Sequence, residues 1–434
     1  MMNSYNFNKL TLCKESTRKV YKPSKYNVIH EMNGGIVLFN TLTGAIAILD
    51  DRMIVDYYLR DNGKSISIQN EPTEVERNLI ENGFIVPEEL DELQFYIYAE
   101  NFTKFLSEEL YIVLLPTRAC NFKCPYCFEA SEATKMSEKD IESVLYFIKN
   151  LLKTGKYKKL SLSWYGGEPL LAKDIITELG TGILELTKEF NIQLEAGITT
   201  NGFFLDDDTA SELEKLHVKW IQITIHPGEE SHNKLRPTKE GKPTYEKVKQ
   251  AILTATRYFE ETRVRLHIEK EGIKYLKRFL EEEKDWLMHP RLRLEPAYVI
   301  DDSTGFCFLS RTKETLGVSV SYDEYIRASE LVMEFNRKKY GINNDAGDYL
   351  EKMLSSTLAP RFGYCGALHN HSYVIGPKGL LYKCISAVDP GDEIGKIEGN
   401  YLVVNHNFFE WINYSPAKEK PCQQCKFLPF CAGG

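Results

Sequence analysis

Three closely spaced cysteines are the residues of this sequence best suited to chemistry. They are Cys120, Cys124 and Cys127, and they follow the apolar segment 111–115. That segment predicts a buried strand, so the cysteines lie on the loop that leaves it. Thiolate ligands select zinc or iron-sulfur centres over calcium or magnesium. The run therefore predicts a metal centre.

The number of nearby ligands favours iron-sulfur over zinc. Zinc normally takes four ligands, but the next cysteine is Cys307 and the nearest downstream histidine is His217. Three cysteines on a cluster that usually has four leave one iron open to a substrate. Three structural or zinc-binding cysteines are the plainer alternative.

The spacing Cys-x3-Cys-x2-Cys, with Tyr126 before its last cysteine, resembles the signature of the radical S-adenosylmethionine (SAM) enzymes. The resemblance implies that Cys120, Cys124 and Cys127 are the catalytic ligands of a 4Fe-4S cluster whose open iron binds SAM. It also implies that Tyr126 lies near the adenine and that the reduced cluster cleaves SAM to a 5'-deoxyadenosyl radical.

A second motif, Gly166-Gly167-Glu168-Pro169, follows the next predicted strand. Its glycines allow the backbone to approach a ligand closely, and Glu168 offers an acceptor for an ammonium group. Alone, this motif would be only a turn. One βα unit after the cysteines, it resembles the family motif that binds the amino group of SAM.

The next two predicted strands also end in polar residues. Thr200 and Asn201 end the third strand, where the family has a similar polar turn, although an Asn-Gly turn is an equal alternative. By resemblance, Thr224 and Arg236 correspond to positions near the SAM ribose and carboxylate. His226 stands where related maturases usually have an acid, and imidazole is not a constant acceptor because its charge changes near neutral pH. Its role is left open.

The remaining clustered cysteines lie in the tail. Cys365 and Cys384 form one group, and Cys422, Cys425 and Cys431 form another. Their spacings resemble the SPASM extension of radical SAM enzymes, which implies a first auxiliary 4Fe-4S cluster on the former group and a second on the latter. Zinc is the alternative for the second group.

The family pattern continues with a further cysteine just beyond Gly434. We therefore expect either a truncated chain, which we favour, or incomplete auxiliary clusters. Cys307 is a candidate for a missing ligand. Otherwise Cys13 and Cys307 are expected to be small buried hydrophobic residues.

The first 100 residues form a separate predicted module. Alternating segments at 26–30 and 36–39 predict a β-hairpin, residues 43–49 a further strand, and residues 51–59 and 74–81 helices. This winged-helix-like α+β pattern is similar to the peptide-recognition (RRE-like) element of radical SAM peptide maturases, where a leader peptide adds a strand to a sheet edge. A purely structural cap is the alternative.

Residues 107–300 alternate between short apolar strands and helices, which predicts an α/β fold. A capping box at Ser137 and Asp140 begins one helix, at 137–152, and another covers 245–258. Ligands of such parallel sheets bind at the carboxyl ends of the strands. Six units match the partial (β/α)6 barrel of the radical SAM family. The predicted strands lie at 111–115, 160–164, 193–199, 220–225, 263–268 and 291–296.

Two further regions complete the predicted organisation. Residues 301–364 predict a bridge that contains a charged helix, and residues 365–434 a Cys-rich SPASM-type domain. The composition predicts an ordinary globular protein. The net charge of -8 argues against nucleic acid as the main partner, and no basic stripe is evident in the sequence. No apolar run approaches the ~20 residues of a membrane span, and the first residues do not resemble a signal peptide. We therefore expect a cytoplasmic protein without a nucleic-acid or membrane partner.

Together these features predict a radical SAM maturase that oxidatively cross-links a ribosomally made precursor peptide through a thioether, carbon-carbon or carbon-oxygen bond. The predicted cofactors are SAM and 4Fe-4S clusters, one SAM-binding and one or two auxiliary. The predicted partners are a precursor peptide, with its leader on the front module, and a flavodoxin, ferredoxin or reductase as electron donor.

Two other functions remain open. An anaerobic sulfatase-maturing enzyme would form formylglycine, although such enzymes generally lack the front module. A non-catalytic peptide-binding scaffold would not need the complete set of Cys120, Cys124 and Cys127.

Overall fold

The computed structural model describes residues 19–32, 35–60, 65–68, 71–127, 133–299, 319–341, 359–363, 365–399 and 401–433. Cys13, Cys307 and parts of the predicted bridge lie outside these residues. The chain divides into two compact units. The first comprises Met1–Leu106, Asp345–Cys365 and Tyr414–Gly434, and the second comprises Ser107–Asn344 and Gly366–Asn413.

The front of the first unit contains two small antiparallel sheets, with strand orders β5-β1-β6 and β2-β3-β4, together with three helices. The strands are β1 (Lys19–Pro23), β2 (Asn27–Met32), β3 (Gly35–Asn40), β4 (Ile46–Leu49), β5 (Ile66–Ile68) and β6 (Ile85–Pro87). The helices are α1 (Arg52–Ile54), α2 (Glu74–Glu81) and α3 (Glu92–Phe105).

The predicted front elements are largely confirmed. The hairpin is the β2-β3 pair, and α2 has the predicted bounds because Thr73 and Glu76 form a capping box before its first turn. The predicted helix at 51–59 is instead one α-helical turn followed by a π-helical turn, Val55–Leu59. The helix α3 was not predicted, although Asp91 caps it by accepting from Leu93 N and Gln94 N.

The second unit is built on six parallel strands in the order β7-β8-β9-β10-β11-β12. They are β7 (Glu109–Leu114), β8 (Lys159–Trp164), β9 (Gln193–Thr200), β10 (Val218–Ile225), β11 (Glu261–Ile268) and β12 (Leu292–Tyr298). All six predicted strands are therefore present, and the predicted partial barrel is confirmed.

Helices between these strands cover one face of the sheet. On β10 the side chains of Ile221, Ile223 and Ile225 are fully buried, whereas the alternate residues Gln222 and Thr224 are only half-buried. This alternation leaves the second face more open than the helix-covered face. The helices between the strands are α4 (Glu138–Lys153), α5 (Lys173–Glu189), α6 (Asp207–Lys215), α7 (Glu229–Leu235), α8 (Tyr245–Tyr258), α9 (Leu276–Glu282) and α10 (Lys284–Leu287), and α11 (Tyr322–Lys339) follows β12.

The sheet continues past β7 with four strands that were not predicted. They are β13 (Ser372–Ile375), which runs parallel to β7, and the antiparallel β14 (Leu380–Tyr382), β15 (Gly395–Glu398) and β16 (Tyr401–Val404). The sheet therefore has ten strands. The helix α12 (His406–Asn413) ends this segment.

The tail returns to the first unit with α13 (Lys420–Gln423) and α14 (Leu428–Cys431). A buried ion pair within α3, in which Lys104 Nζ lies 3.2 Å from Glu100 Oε1, contacts the first residues of the tail. Lys104 also donates to the Tyr414 carbonyl, and Ser415 donates to Glu100. In the described part of the chain, no helix has the length and apolar character that a membrane crossing requires.

Candidate active site

The loop after β7 carries Cys120, Cys124 and Cys127. The first two are half-buried and the third is exposed, and all three are thiols. Burial raises the pKa of the Cys120 thiol to about 12, and the neighbouring Glu168, Cys124 and Cys127 raise it further. Burial also raises the pKa of Cys124, which the Arg236 guanidinium opposes. These thiols would therefore stay protonated unless a cation bound to them.

The cysteine loop is paired with the loop that follows α7. Lys123 N donates to Pro237 O at 2.9 Å, and Lys239 N donates to Asn121 O at 2.8 Å. The Arg236 guanidinium lies 5.5 Å from the ring centre of Phe122. The cysteines and Arg236 are thus held together although they are far apart in the sequence.

Two glycines after β8 allow close packing against the stem of the cysteine loop. Gly166 has a φ of +113°, and a Cβ there would lie 2.3 Å from Thr117 O. A Cβ at Gly167 would lie 2.4 Å from Ala119 O. Only glycine permits this approach. Pro169 then begins a buried 3-10 turn, Pro169–Ala172.

Glu168 joins this loop to the end of β9. Its carboxylate is fully buried and accepts hydrogen bonds from Leu170 N at 3.0 Å, Thr200 Oγ1 at 2.6 Å and Asn201 N at 2.7 Å. Burial raises the pKa of Glu168, and these hydrogen bonds and Arg236 lower it. Three of about four acceptor sites of the carboxylate are used, so one is left for a ligand.

Asn201 completes the link to the cysteine loop. Its Nδ2 donates to Asn121 Oδ1 at 2.8 Å and lies 3.9 Å from Cys120 Sγ. The structure therefore brings Glu168, Thr200 and Asn201 together beside Cys120. Thr224, in contrast, has no hydrogen bond to the other candidate residues within the described ranges, and lies opposite Arg265 in the β10-β11 register.

Tyr126 connects the cysteine loop with β10 and β11. Its hydroxyl oxygen accepts from Arg236 Nη1 at 3.2 Å and lies 2.9 Å from His226 Nε2. Burial raises the pKa of Tyr126 and lowers that of His226, so both groups are neutral. Because the Glu269 carboxylate can only accept, the His226 hydrogen lies on Nδ1, and Nε2 accepts from the phenol. The protonated Nδ1 of His226 then faces Glu269 Oε1 at 3.7 Å.

His232 fixes the backbone at His226. His226 N donates to His232 Nδ1 at 3.3 Å, and His232 Nε2 lies 3.2 Å from Thr244 Oγ1. Because the Thr244 hydroxyl donates its hydrogen to Arg236 O at 2.6 Å, it must accept from His232. His232 is therefore the neutral Nε2-H tautomer, and burial lowers its pKa well below the usual range.

The sequence analysis missed His267 and Glu269 at the end of β11. The His267 ring lies 5.3 Å from that of His226 and 5.4 Å from that of Tyr126. The available signal was their position at the carboxyl end of a predicted strand next to the one that leads to His226. Parallel pairing of β10 with β11 places these ends side by side.

The donor set fits an iron-sulfur cluster in kind. Three thiols lie on one loop, and Nε of the buried Arg236, whose side chain contacts Phe122 and Tyr126 of that loop, has no hydrogen-bond partner among the described residues. Within the described ranges, however, no three or more His, Cys, Asp or Glu side chains are already gathered around one metal position. The fit therefore rests on the ligand type, the shared loop and the unpaired Arg236 Nε.

The predicted tail ligands lie in different parts of the chain. Cys365 is half-buried and belongs to the first unit, whereas Cys384 is half-buried and belongs to the second, where its Sγ accepts from Ser386 N at 3.4 Å. Cys422, Cys425 and Cys431 belong to the first unit. The structure does not test their role as ligands.

Comparison with known proteins identifies the class of this fold and site. Residues 114–281 match the model of the Radical SAM superfamily. These residues form a radical SAM domain, as predicted, and they indicate that the chain is an enzyme. The family implies SAM and one 4Fe-4S cluster as cofactors.

Its similarity to individual proteins is lower. The serine-type anaerobic sulfatase-maturating enzyme of Bacteroides thetaiotaomicron is 23% identical over 356 residues, 75% of this chain and 82% of that protein. The cysteine-type enzyme of Clostridium perfringens is 22% identical over 332 residues, 73% of this chain and 85% of that protein. A solved structure, native anSMEcpe with bound AdoMet and Cp18Cys peptide, has a TM-score of 0.56 at 21% identity, covering 75% of this chain and 89% of that one.

Proposed function

We propose that this radical SAM enzyme is a peptide maturase that introduces an oxidative cross-link into a ribosomally made precursor. The observation that carries the proposal is the convergence of Glu168, Asn201 and Arg236 on the loop of Cys120 and Cys124. These residues come from different strand ends and loops of one parallel sheet. That is the edge at which such sheets bind their ligands.

The residues of this loop would hold the cofactors. Cys120, Cys124 and Cys127 would ligate the cluster, and the spare acceptor site of Glu168 would receive the ammonium group of SAM. Arg236 lies close enough to Tyr126 and Cys124 to balance negative charge at this site. When bound, SAM and the reduced cluster supply a 5'-deoxyadenosyl radical, which can remove a hydrogen atom from an unactivated C-H bond.

Some of the other proposed SAM contacts shape the loop that carries Glu168 or hold its carboxylate, and others are proposed from their position. Gly166, Gly167 and Pro169 shape the loop that carries Glu168, and Thr200 and Asn201 hold its carboxylate in place. Tyr126 lies within the cysteine loop, where the proposal places the adenine. Thr224 rests on family resemblance and on its half-buried position near the end of β10.

Cross-linking removes two hydrogen atoms from the peptide, so a second electron must leave the site. The tail contains thiols that could ligate a cluster able to accept that electron. They are Cys365, Cys384, Cys422, Cys425 and Cys431. We propose that they ligate one or two auxiliary 4Fe-4S clusters. A flavodoxin or ferredoxin would supply the first electron.

The front module offers an edge for the leader peptide. The strand β4 lies at the end of the β2-β3-β4 sheet, and Ile46 and Ile48 on its outer face are 41% and 73% exposed. An edge strand has unpaired backbone groups that an extended peptide can join, while exposed side chains supply apolar contacts. We propose that the leader adds to β4.

The proposal can be tested on candidate precursor peptides, chosen from any short open reading frames found beside this gene. Reduced enzyme and SAM are expected to remove two hydrogen atoms from the true precursor among them, as measured by mass spectrometry. Ile48→Asp should weaken peptide binding in fluorescence anisotropy, because it places a charge on the docking edge. Val403→Asp, at an exposed apolar residue on the edge strand β16, is the matched control. Equal binding by both variants would refute the docking edge.

Sulfatase maturation is the second candidate, because two relatives carry that name. It would convert a Cys or Ser side chain to an aldehyde. A hydrazine probe distinguishes the two products, since it traps an aldehyde and leaves a cross-linked peptide unlabelled. Labelling of sulfatase-derived Cys or Ser peptides would favour this second function.

A further inference from the structure

Two fully buried tyrosines in the first unit have no partner for their hydroxyl groups. Tyr26 precedes β2 and Tyr96 lies on α3, and both side chains are 0% exposed. Neither phenolic oxygen has a hydrogen-bond partner within the described residues. A buried hydroxyl without a partner is destabilising. Two in one place indicate that an acceptor belongs beside them.

One tail cysteine packs against the apolar cluster that contains these two tyrosines. Tyr26 and Tyr96 share an apolar cluster with Leu42, Ala417 and Leu428, and the Cys422 side chain packs against that cluster. This places a thiol against the cluster that holds both phenols. All of these residues belong to the same compact unit.

The electrostatics extend this neighbourhood to the other two tail cysteines. Burial raises the pKa of Tyr26, with further increases from Glu92, Asp91 and Cys425. Burial likewise raises the pKa of Tyr96, with increases from Glu100, Tyr26, Cys431 and Cys422. A phenol keeps its hydrogen at neutral pH, so each of these hydroxyl hydrogens can be satisfied only by donation.

Other parts of the first unit also hold the cysteine-bearing loop of the tail. Thr41 Oγ1 donates to Lys426 O at 2.5 Å, and Arg361 N donates to Pro429 O at 2.6 Å. The rings of Phe39 and Phe430 meet edge to face at 6.2 Å. These contacts fix the loop between Cys425 and Cys431 against the elements that flank the two tyrosines.

We propose that Tyr26 and Tyr96 donate hydrogen bonds to the sulfur atoms of an iron-sulfur cluster held by Cys422, Cys425 and Cys431. The inference rests on the auxiliary cluster of the proposed function and adds two residues of the front module to its surroundings. Hydrogen bonds to the sulfur atoms stabilise the more negative, reduced state of a cluster and so raise its reduction potential. Tyr26 and Tyr96 are positioning residues that tune the potential.

The test isolates the tail cluster in the full-length chain. Replacing Cys120, Cys124, Cys127, Cys365 and Cys384 with alanine removes the other proposed ligands, and the protein is then reconstituted with iron and sulfide. A redox titration followed by electron paramagnetic resonance gives the midpoint potential. Tyr26→Phe and Tyr96→Phe remove only the hydroxyl groups. Tyr58→Phe is the control, because its hydroxyl donates to Glu76 at 3.0 Å in the same unit.

The two buried variants are expected to lower the midpoint potential, additively in the double variant, while the control leaves it unchanged. A second readout uses metal-free protein, where Tyr96→Phe should slow amide hydrogen exchange in α3 because it removes an unsatisfied hydroxyl. Iron uptake with an unchanged potential in both variants would overturn this inference alone. Failure to bind iron, or uptake of zinc only, would overturn the auxiliary cluster of the proposed function as well.

Discussion

Replacing Glu168 with glutamine is predicted to destabilise the second unit by about 2–4 kcal/mol. The carboxylate accepts from Leu170 N, Thr200 Oγ1 and Asn201 N. A glutamine amide has only one oxygen. In one orientation it leaves Asn201 N without an acceptor, and in the other it leaves Leu170 N without one. Glu168 is 0% exposed, so water cannot replace the lost bond.

Urea unfolding followed by tryptophan fluorescence measures this effect in metal-free protein. All four tryptophans lie in the second unit, so the signal reports that unit. Glu178→Gln is the matched control, because Glu178 is exposed on α5 and should change the free energy of unfolding by less than about 0.5 kcal/mol. A Glu168→Gln variant as stable as this control would refute the clamp between Glu168 and the end of β9.

Three further predictions concern packing, pH and a buried charge. Gly167→Ala should lower both stability and iron uptake, because the added Cβ would collide with the backbone at Ala119 O. Gly366→Ala should lower neither, because its Cβ would lie 3.8 Å from the nearest atom, Ser372 Oγ. Urea unfolding and iron counts measure the two effects. Burial lowers the pKa of His371 to about 3. As pH falls from about 7 to about 5.5, this histidine therefore binds a proton in the unfolded chain but not in the native state, and its contribution to the free energy of unfolding falls by about 1 kcal/mol. In the same fluorescence titrations, the loss in His371→Asn should be smaller than in the parent by about 1 kcal/mol, because the other buried histidines still contribute. Lys104→Met leaves the buried Glu100 charge without its partner and should lower the free energy of unfolding by about 3–5 kcal/mol, measured by hydrogen exchange of α3. Adding Glu100→Leu should restore most of this stability.

The sequence predicted the six barrel strands because each carries an apolar run or alternation that is local in the chain. It did not predict β13–β16, because these strands are three or four residues long and their place depends on pairing between Ser372 and Tyr111. Such pairing joins distant parts of the chain and leaves little local pattern. The hydrophobic pattern was therefore sufficient to predict the barrel strands but not β13–β16, which extend the sheet.

The candidate site divides in the same way. The cysteines and Glu168 were predicted from short motifs. The contact of His226 with Tyr126 and Glu269 depends on the register of β10 against β11, which spacing does not reveal. The proximity of Tyr96 to the tail cysteines likewise arises only when α3 packs against the returning tail.

The most direct test of the central claim is an anaerobic reaction of the reconstituted, dithionite-reduced protein with SAM, in which 5'-deoxyadenosine is measured by chromatography. We predict that the parent protein forms 5'-deoxyadenosine and that Cys124→Ala forms none. Equal formation by both, or none from a parent whose iron count shows a loaded cluster, would contradict the assignment of the cysteine loop.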